Sequence, residues 1–158
     1  MRVTLAGFLA AGCLLASAGC GGTAQPAPQA DREWIDNTTG VIDQLQRDLV
    51  LGSADGDSMG AARKALRNGL YTLLVAYTDF GGCRHMVAAA GVTPERFTKV
   101  NRTLGVACTR LEHAARLFTH AASDDDAPAL VQAGRLASSA APLVVRAREE
   151  LQAAATTR

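Results

Sequence analysis

Residues 93–123, TPERFTKVNRTLGVACTRLEHAARLFTHAAS, carry the clearest structural pattern in this chain of 158 residues. Their apolar side chains recur every three or four positions, as they do along one side of an α-helix. Thr93 stands where an N-cap is expected, and Pro94 stands in the first turn. We therefore expect a long helix with one buried side, which ends at Ser123 and the three aspartates that follow. The apolar positions are Phe97, Val100, Leu104, Ala107, Cys108, Leu111, Ala114, Ala115, Phe118 and Ala122.

Two segments before this helix have the same periodicity. Residues 31–51 are expected to form a helix that the glycine- and aspartate-rich residues 52–57 terminate. A second helix begins at Ser58, a good N-cap, and is interrupted at Gly81-Gly82. Adjacent glycines cost about 1 kcal/mol each inside a helix, so we expect a break there. A short helix over 83–90 follows the break.

The last helical segment, residues 127–155, contains Pro142 in its interior. Proline removes one backbone hydrogen bond, so a kink is expected over residues 138–141. Alanine and leucine dominate the apolar positions, and no alternating pattern of short strands occurs. These features predict an all-α fold, an antiparallel four-helix bundle that occupies residues 31–158.

The first twenty residues are typical of an export signal. Arg2 precedes an apolar stretch that is too short for a transmembrane helix, which needs about 20 residues. The stretch ends in Leu15-Ala16-Ser17-Ala18-Gly19-Cys20, which resembles the lipobox of bacterial lipoproteins. It departs from that motif at Ser17, where the family prefers Leu, Val or Ile. The alternative is an ordinary cleaved signal and a soluble secreted protein.

The resemblance to lipoproteins implies a cellular location and a membrane anchor. Residues 1–19 would be the signal peptide, and Cys20 would become the first residue and carry the lipid. Residues 20–30 would form a flexible tether whose last ten residues span at most about 35 Å. The arginine- and alanine-rich composition resembles that of small all-helical lipoproteins of actinobacteria. The expected location is the extracytoplasmic face of the cell membrane, with the membrane and an envelope protein as partners and no nucleic acid.

Charge is distributed unevenly along the chain after the signal peptide. Residues 20–57 hold two basic and seven acidic side chains, a net charge of −5. Residues 58–116 hold nine basic and three acidic side chains, a net charge of +6. One interpretation places an acidic first helix beside a basic central hairpin. The other places the basic face against anionic lipid head groups below the anchor.

The two cysteines that remain after the leader and the anchor predict a disulfide. Cys13 is lost with the signal and Cys20 carries lipid, which leaves Cys83 and Cys108 in an oxidising compartment. Measured along their helices, the two cysteines would be misaligned by about 10 Å in a tight hairpin. The bond therefore requires an extended connection over residues 90–94, or a short helix that the two glycines turn out of line.

One dense polar cluster marks a candidate ligand-binding site at the predicted helix break. It contains Tyr77, Asp79, Arg84 and His85. These residues would form a small pocket for an anionic ligand, with Arg84 and His85 as donors. Alternatively, Asp79 caps a helix or pairs locally with Arg84, and Tyr77 belongs to the core.

No metal site or cofactor is predicted. Three aspartates at 124–126 lack the other residues of a calcium-binding loop and are typical of charges ahead of a helix. His113 and His120 are about 10 Å apart on one helix, too far to bind one metal without a residue from another helix. The leading functional hypothesis is a non-catalytic binding or scaffolding module, with no catalytic residues. The alternatives are a small enzyme that uses Asp79, Arg84 and His85, and a four-helix metal carrier.

Overall fold

A computed structural model describes residues 28–55, 71–124 and 126–156 of the chain. The signal peptide, Cys20, most of the tether and the predicted N-cap Ser58 lie outside these residues. All the secondary structure of the described part is helical, and these residues contain no strand. It consists of α1 (Pro28–Asp55), α2 (Tyr71–Gly81), α3 (Cys83–Ala89), a 3₁₀ turn (Glu95–Phe97), α4 (Thr98–Asp124) and α5 (Ala127–Thr156).

The four longer helices form the sides of a bundle. Helix α1 packs against α2 and α5, and α4 packs against the same two helices, so α1 and α4 lie diagonally opposite. Neighbouring helices are antiparallel. Between α4 and α5, for example, Thr103 bonds Glu150, and Arg110, which comes later in α4, bonds the carbonyl of Ser139, which comes earlier in α5. The predicted all-α four-helix bundle is confirmed.

The predicted apolar stripe of α4 faces the centre of this bundle. Leu104, Ala107, Cys108, Leu111 and Ala114 are completely buried. The last buried position is Ala121, whereas Ala122 is half-buried, so the prediction was wrong by one residue at this end. Close packing of small side chains lets α4 and α5 form the most extensive helix contact in the described part of the chain.

The predicted end of the first helix at Gly52 is wrong. Helix α1 continues to Asp55, and Gly52 is buried against α2. A Cβ atom at Gly52 would lie 3.2 Å from the ring of Phe80 and 3.6 Å from that of Tyr77. Glycine therefore serves here as a contact surface for two aromatic rings, and tertiary packing offsets its low helix propensity.

The cap that was predicted for the fourth helix is also wrong. Pro94 rather than Thr93 precedes the first turn, and its backbone is extended (φ −64°, ψ 148°). The chain then makes a 3₁₀ turn in which the amide of Phe97 donates to the carbonyl of Pro94 at 2.9 Å. This tight turn places the buried ring of Phe97 on Trp34, with 4.8 Å between the ring centroids.

The predicted break at the two glycines is confirmed. Helix α2 ends at Gly81 and α3 begins at Cys83, and the amide of Gly82 is shared between the carbonyls of Thr78 and Asp79, both at 3.1 Å. Pro142 lies inside α5, which runs as one helix from Ala127 to Thr156, and the kink over residues 138–141 stays a prediction. Because proline has no backbone N–H, one carbonyl in the preceding turn of the helix lacks its usual hydrogen-bond donor. In that turn the Arg110 guanidinium donates to the carbonyl of Ser139 at 2.7 Å.

The predicted disulfide joins α3 to α4. Cys83 and Cys108 are bonded, their Cα atoms are 5.2 Å apart, and both side chains are completely buried. After Ala90 the chain leaves helical geometry, with Gly91 at φ +104° and Pro94 extended. The chain therefore departs from helical geometry over residues 91–94 and also at Gly82, the two places at which the register of the cysteines allowed a departure from a tight hairpin.

No helix in the described ranges is long and apolar enough to cross a membrane.

Stacked aromatic rings form two layers of the core. Tyr77 stacks on Phe118 in the second half of α4, with 4.1 Å between centroids. Trp34 and Phe97 form the second stack, close to the start of α1.

Candidate functional site

The four predicted site residues lie around the junction of α2 and α3, but they have different neighbours. Tyr77 is only 3% exposed and lies between the rings of Phe118 and Phe80, so it belongs to the core. His85 is exposed on α3. The interpretation of Tyr77 as a core residue is therefore confirmed.

Asp79 faces α1. Its carboxylate accepts a hydrogen bond from Gln44 Nε2 at 3.0 Å, and the same nitrogen lies 3.1 and 3.2 Å from the two oxygens of Asp48. Arg47 donates to the Gln44 carbonyl oxygen at 2.7 Å, which orients the amide nitrogen towards the carboxylates. The side-chain amide of Gln44 thus binds the carboxyl groups of both Asp48 and Asp79, and so links α1 to α2. Asp79 does not pair locally with Arg84.

The carboxyl group of Asp48 is the most perturbed acid in the described part of the chain. Burial raises the pKa of Asp48 to about 6, and the neighbouring carboxylate of Asp79 adds to the rise. The hydrogen bond from Gln44 and the charge of Arg47 act in the opposite direction. Asp48 is only 1% exposed, so its charge is poorly hydrated at neutral pH.

Arg84 faces α4, away from Asp79. Its Nε lies 3.4 Å from Glu112 Oε2, its Nη2 donates to Thr109 at 2.8 Å, and its backbone amide donates to Glu112 at 3.3 Å. The Arg84 side chain is 61% exposed. Because Asp79 binds α1 and Arg84 binds α4, the structure does not bring these two groups together into one pocket.

A different cavity, which we call the α2–α4 groove, opens between those two helices and has a volume of about 560 Å³. Its floor is built from small residues, because a Cβ atom at Gly81 would lie 3.7 Å from the Cβ of Ala115. Tyr77 is the predicted site residue that lines it. The full lining is Tyr77, Thr78, Gly81, Glu112, Ala115, Arg116, Thr119, His120 and Ser123.

The polar groups of the α2–α4 groove include hydroxyls, an imidazole, a carboxylate and a guanidinium. The hydroxyls of Thr119 and Ser123 each donate to a carbonyl one turn earlier, both at 3.0 Å, so their lone pairs remain free to accept. His120 Nδ1 lies 2.9 Å from Asp124. No hydrogen bond within residues 71–124 joins a histidine to a serine, threonine or cysteine. A contact of this kind is one of the ways in which a nucleophile is activated.

A second cavity, of about 570 Å³, lies between α1 and α5 and is lined mainly by apolar side chains: Gln46, Leu49, Val50, Ser138, Ala141 and Val145. It contains no ionisable group. Among the residues with described positions, no three His, Cys, Asp or Glu side chains are grouped closely enough to hold a metal ion.

Sequence reasoning missed Gln44, Asp48 and most of the α2–α4 groove. Asp48 had a usable signal, since it lies three residues after Leu45 and one before Leu49, within the apolar stripe of α1. An acid at a core position requires a partner, which is Gln44 one turn earlier. The chain matches no protein-family model, no curated protein and no solved structure.

Proposed function

We propose that this protein is an envelope lipoprotein, held on the extracytoplasmic face of the cell membrane through Cys20. Its helical domain, residues 31–158, is a non-catalytic binding or scaffolding module. The observation that carries the binding role is the α2–α4 groove, which is open, floored by small residues and bordered by hydrogen-bonding side chains. The lipid anchor rests on the Leu15-to-Cys20 motif.

The position of the groove suits an anchored binding domain. The tether joins α1 at Pro28, and the start of α1 contacts Ala90 and Arg96. The groove instead lies beside the second half of α4, towards the opposite end of the bundle. A domain that is held at the start of α1 would therefore present this groove away from the lipid surface.

The arrangement of the predicted residues favours binding over catalysis. Asp79 and Arg84 are held by different neighbouring helices, and the acid with a shifted pKa, Asp48, is buried away from the groove. In the groove, the guanidinium of Arg116 is an exposed donor, and the exposed His120 lies beside it with its Nδ1 2.9 Å from Asp124. These groups suit a ligand or protein segment that presents carboxylate or carbonyl oxygens.

The anchor is tested by labelling cells with an alkyne analogue of palmitate. We expect the native chain to take up the label and to begin at Cys20 with an added diacylglyceryl mass. Cys20→Ser should abolish labelling, whereas the matched variant Cys13→Ser should retain it, because residue 13 lies inside the leader. Labelling that persists in Cys20→Ser would rule out the anchor.

The binding role is tested by site-specific photo-crosslinking in the native host. A photoreactive amino acid in place of Thr119, an exposed residue of the groove, should give a discrete adduct with a ligand or protein. The matched position is Arg102, which is exposed on α4 outside the groove and should give none. Equal adducts at both positions, or none at Thr119, would contradict a role for the groove in binding.

A further inference from the structure

Four segments meet at the end of the bundle where α1 begins. Asn37 Nδ2 lies 3.5 Å from the carbonyl of Ala90, and Arg96 pairs with Asp31 at 2.7 Å. Thr103, near the start of α4, bonds Glu150, near the end of α5, at 2.7 Å. We call this the proximal end, and it includes the connection of residues 91–94.

The connection at the proximal end presents an apolar side chain to solvent. Val92 is 95% exposed, more than any other large apolar residue in the described ranges. The other exposed valines lie along helices, as scattered surface residues often do. Val92 instead follows Gly91, whose positive φ of 104° turns the chain outwards, and precedes the rigid Pro94.

In two ion pairs at the proximal end, the basic side chain is exposed to solvent and its acidic partner is largely buried. The Arg96 side chain is 41% exposed, whereas that of its partner Asp31 is 12% exposed. Lys99 is 70% exposed and its partner Glu150 is 8% exposed. The exposed acids at this end are Glu33, Asp36, Glu95 and Glu149, so the attraction of an anionic surface is modest.

The tether limits how far this end can move from the lipid. Residues 20–27 connect Cys20 to the start of α1 and span at most about 28 Å when fully extended. A contact too weak to hold a free protein is populated when a short tether supplies a high effective concentration. This step rests on the proposed lipid anchor.

From these observations we propose that the proximal end of the bundle rests on the anionic lipid surface. Val92 inserts among the head groups, and Arg96 and Lys99 lie over lipid phosphates. The contact fixes the orientation of the domain, because it places the start of α1 at the membrane and the α2–α4 groove away from it. The partner surface is therefore lipid, rather than a second protein.

The test uses the full lipidated chain in vesicles of phosphatidylglycerol and phosphatidylcholine, with an environment-sensitive fluorophore on an introduced cysteine. Val92→Cys carries the probe, and Val106→Cys is the matched control because Val106 is 45% exposed on α4. Cys83 and Cys108 are bonded to each other and do not react. We expect a blue shift and quenching by a lipid-attached quencher at position 92, and neither at position 106.

Two results would overturn the proposal, and mass spectrometry of the same sample separates them. If Cys20 carries lipid and the probe at position 92 is as exposed to water as the probe at 106, the docking is wrong and the anchor stands. If Cys20 carries no lipid, the anchor is wrong and the docking falls with it. A blue shift at position 92 that disappears on adding Lys99→Gln and Arg96→Gln supports the charged part of the contact.

Discussion

Replacing both Cys83 and Cys108 by alanine lowers the free energy of unfolding by about 3–4 kcal/mol, through loss of the loop constraint in the unfolded chain. The bond joins residues 25 apart in sequence, and this separation sets the magnitude in the chain-entropy model. Domains of this size are typically stable by only about 5–15 kcal/mol. The disulfide therefore supplies a large part of the stability of the bundle.

Urea denaturation of the oxidised chain, the reduced chain and the double variant measures this effect. Both cysteines are completely buried, so reduction is expected only after the chain has been unfolded in the presence of reductant. The reduced chain and the double variant should have similar unfolding midpoints, well below that of the oxidised chain. A double variant within 1 kcal/mol of the oxidised chain would contradict this role for the bond.

The substitution Asp48→Asn stabilises the protein at pH 7 by about 1–3 kcal/mol, which corresponds to the rise in the pKa of Asp48 from 3.8 to about 6. Asparagine keeps an acceptor for Gln44 and adds a donor for Asp79, and it removes the buried charge. Most single substitutions destabilise a protein. A gain at this position would identify Asp48 as a residue that weakens the fold.

The sign of the pH dependence follows from the raised pKa. Between pH 3.8 and about 6 the folded state binds more protons at Asp48 than the unfolded state does, so stability falls as pH rises through this window. From pH 5 to pH 7 the native chain should lose about 1 kcal/mol from this group. Asp48→Asn should remove that slope in urea melts at pH 5, 6 and 7.

Glu150 provides the matched control for this experiment. Burial alone would raise the pKa of Glu150, but hydrogen bonds from Thr103, Arg146 and Lys99 outweigh it and lower the pKa below 4.5. The stability that Glu150 contributes is therefore lost only as the pH falls below 4.5 and through the lowered pKa of this group. Glu150→Gln should destabilise the protein at pH 7 and leave the slope between pH 5 and 7 unchanged. If the free energy of unfolding changes equally between pH 5 and pH 7 in Asp48→Asn and in the native chain, the assignment of this pH dependence to Asp48 is refuted.

Most of the fold could be predicted because its signals are local. The apolar positions of α4 recur at helical spacing, and the two glycines and Pro142 act on their own backbone neighbours. The pairing of Cys83 with Cys108 followed from the number of cysteines, and their register required either an extended connection or a short helix turned out of line. These arguments need the chain's order and helix geometry, and no knowledge of which helix lies beside which.

The errors at helix ends have a common cause in packing. Gly52 favours a helix break by propensity, yet it lies against Phe80, and the helix continues. Thr93 is a good cap by residue type, yet the stacking of Phe97 on Trp34 accompanies a 3₁₀ turn that begins after Pro94. In both cases the deciding contact joins residues that are more than 25 positions apart in sequence.

The sequence by itself determined the helical class, the helix break and most of the residues that face the core, because each depends on local propensity or periodicity. It also determined the disulfide, because only two cysteines remain after the leader and the anchor. Only the tertiary structure decided which surfaces meet. It places Asp79 against Gln44 on α1 and Arg84 against Glu112 on α4, and it opens a groove where Gly81 approaches Ala115. Those contacts depend on how each helix is rotated against its neighbours, and periodicity within one helix does not specify that rotation.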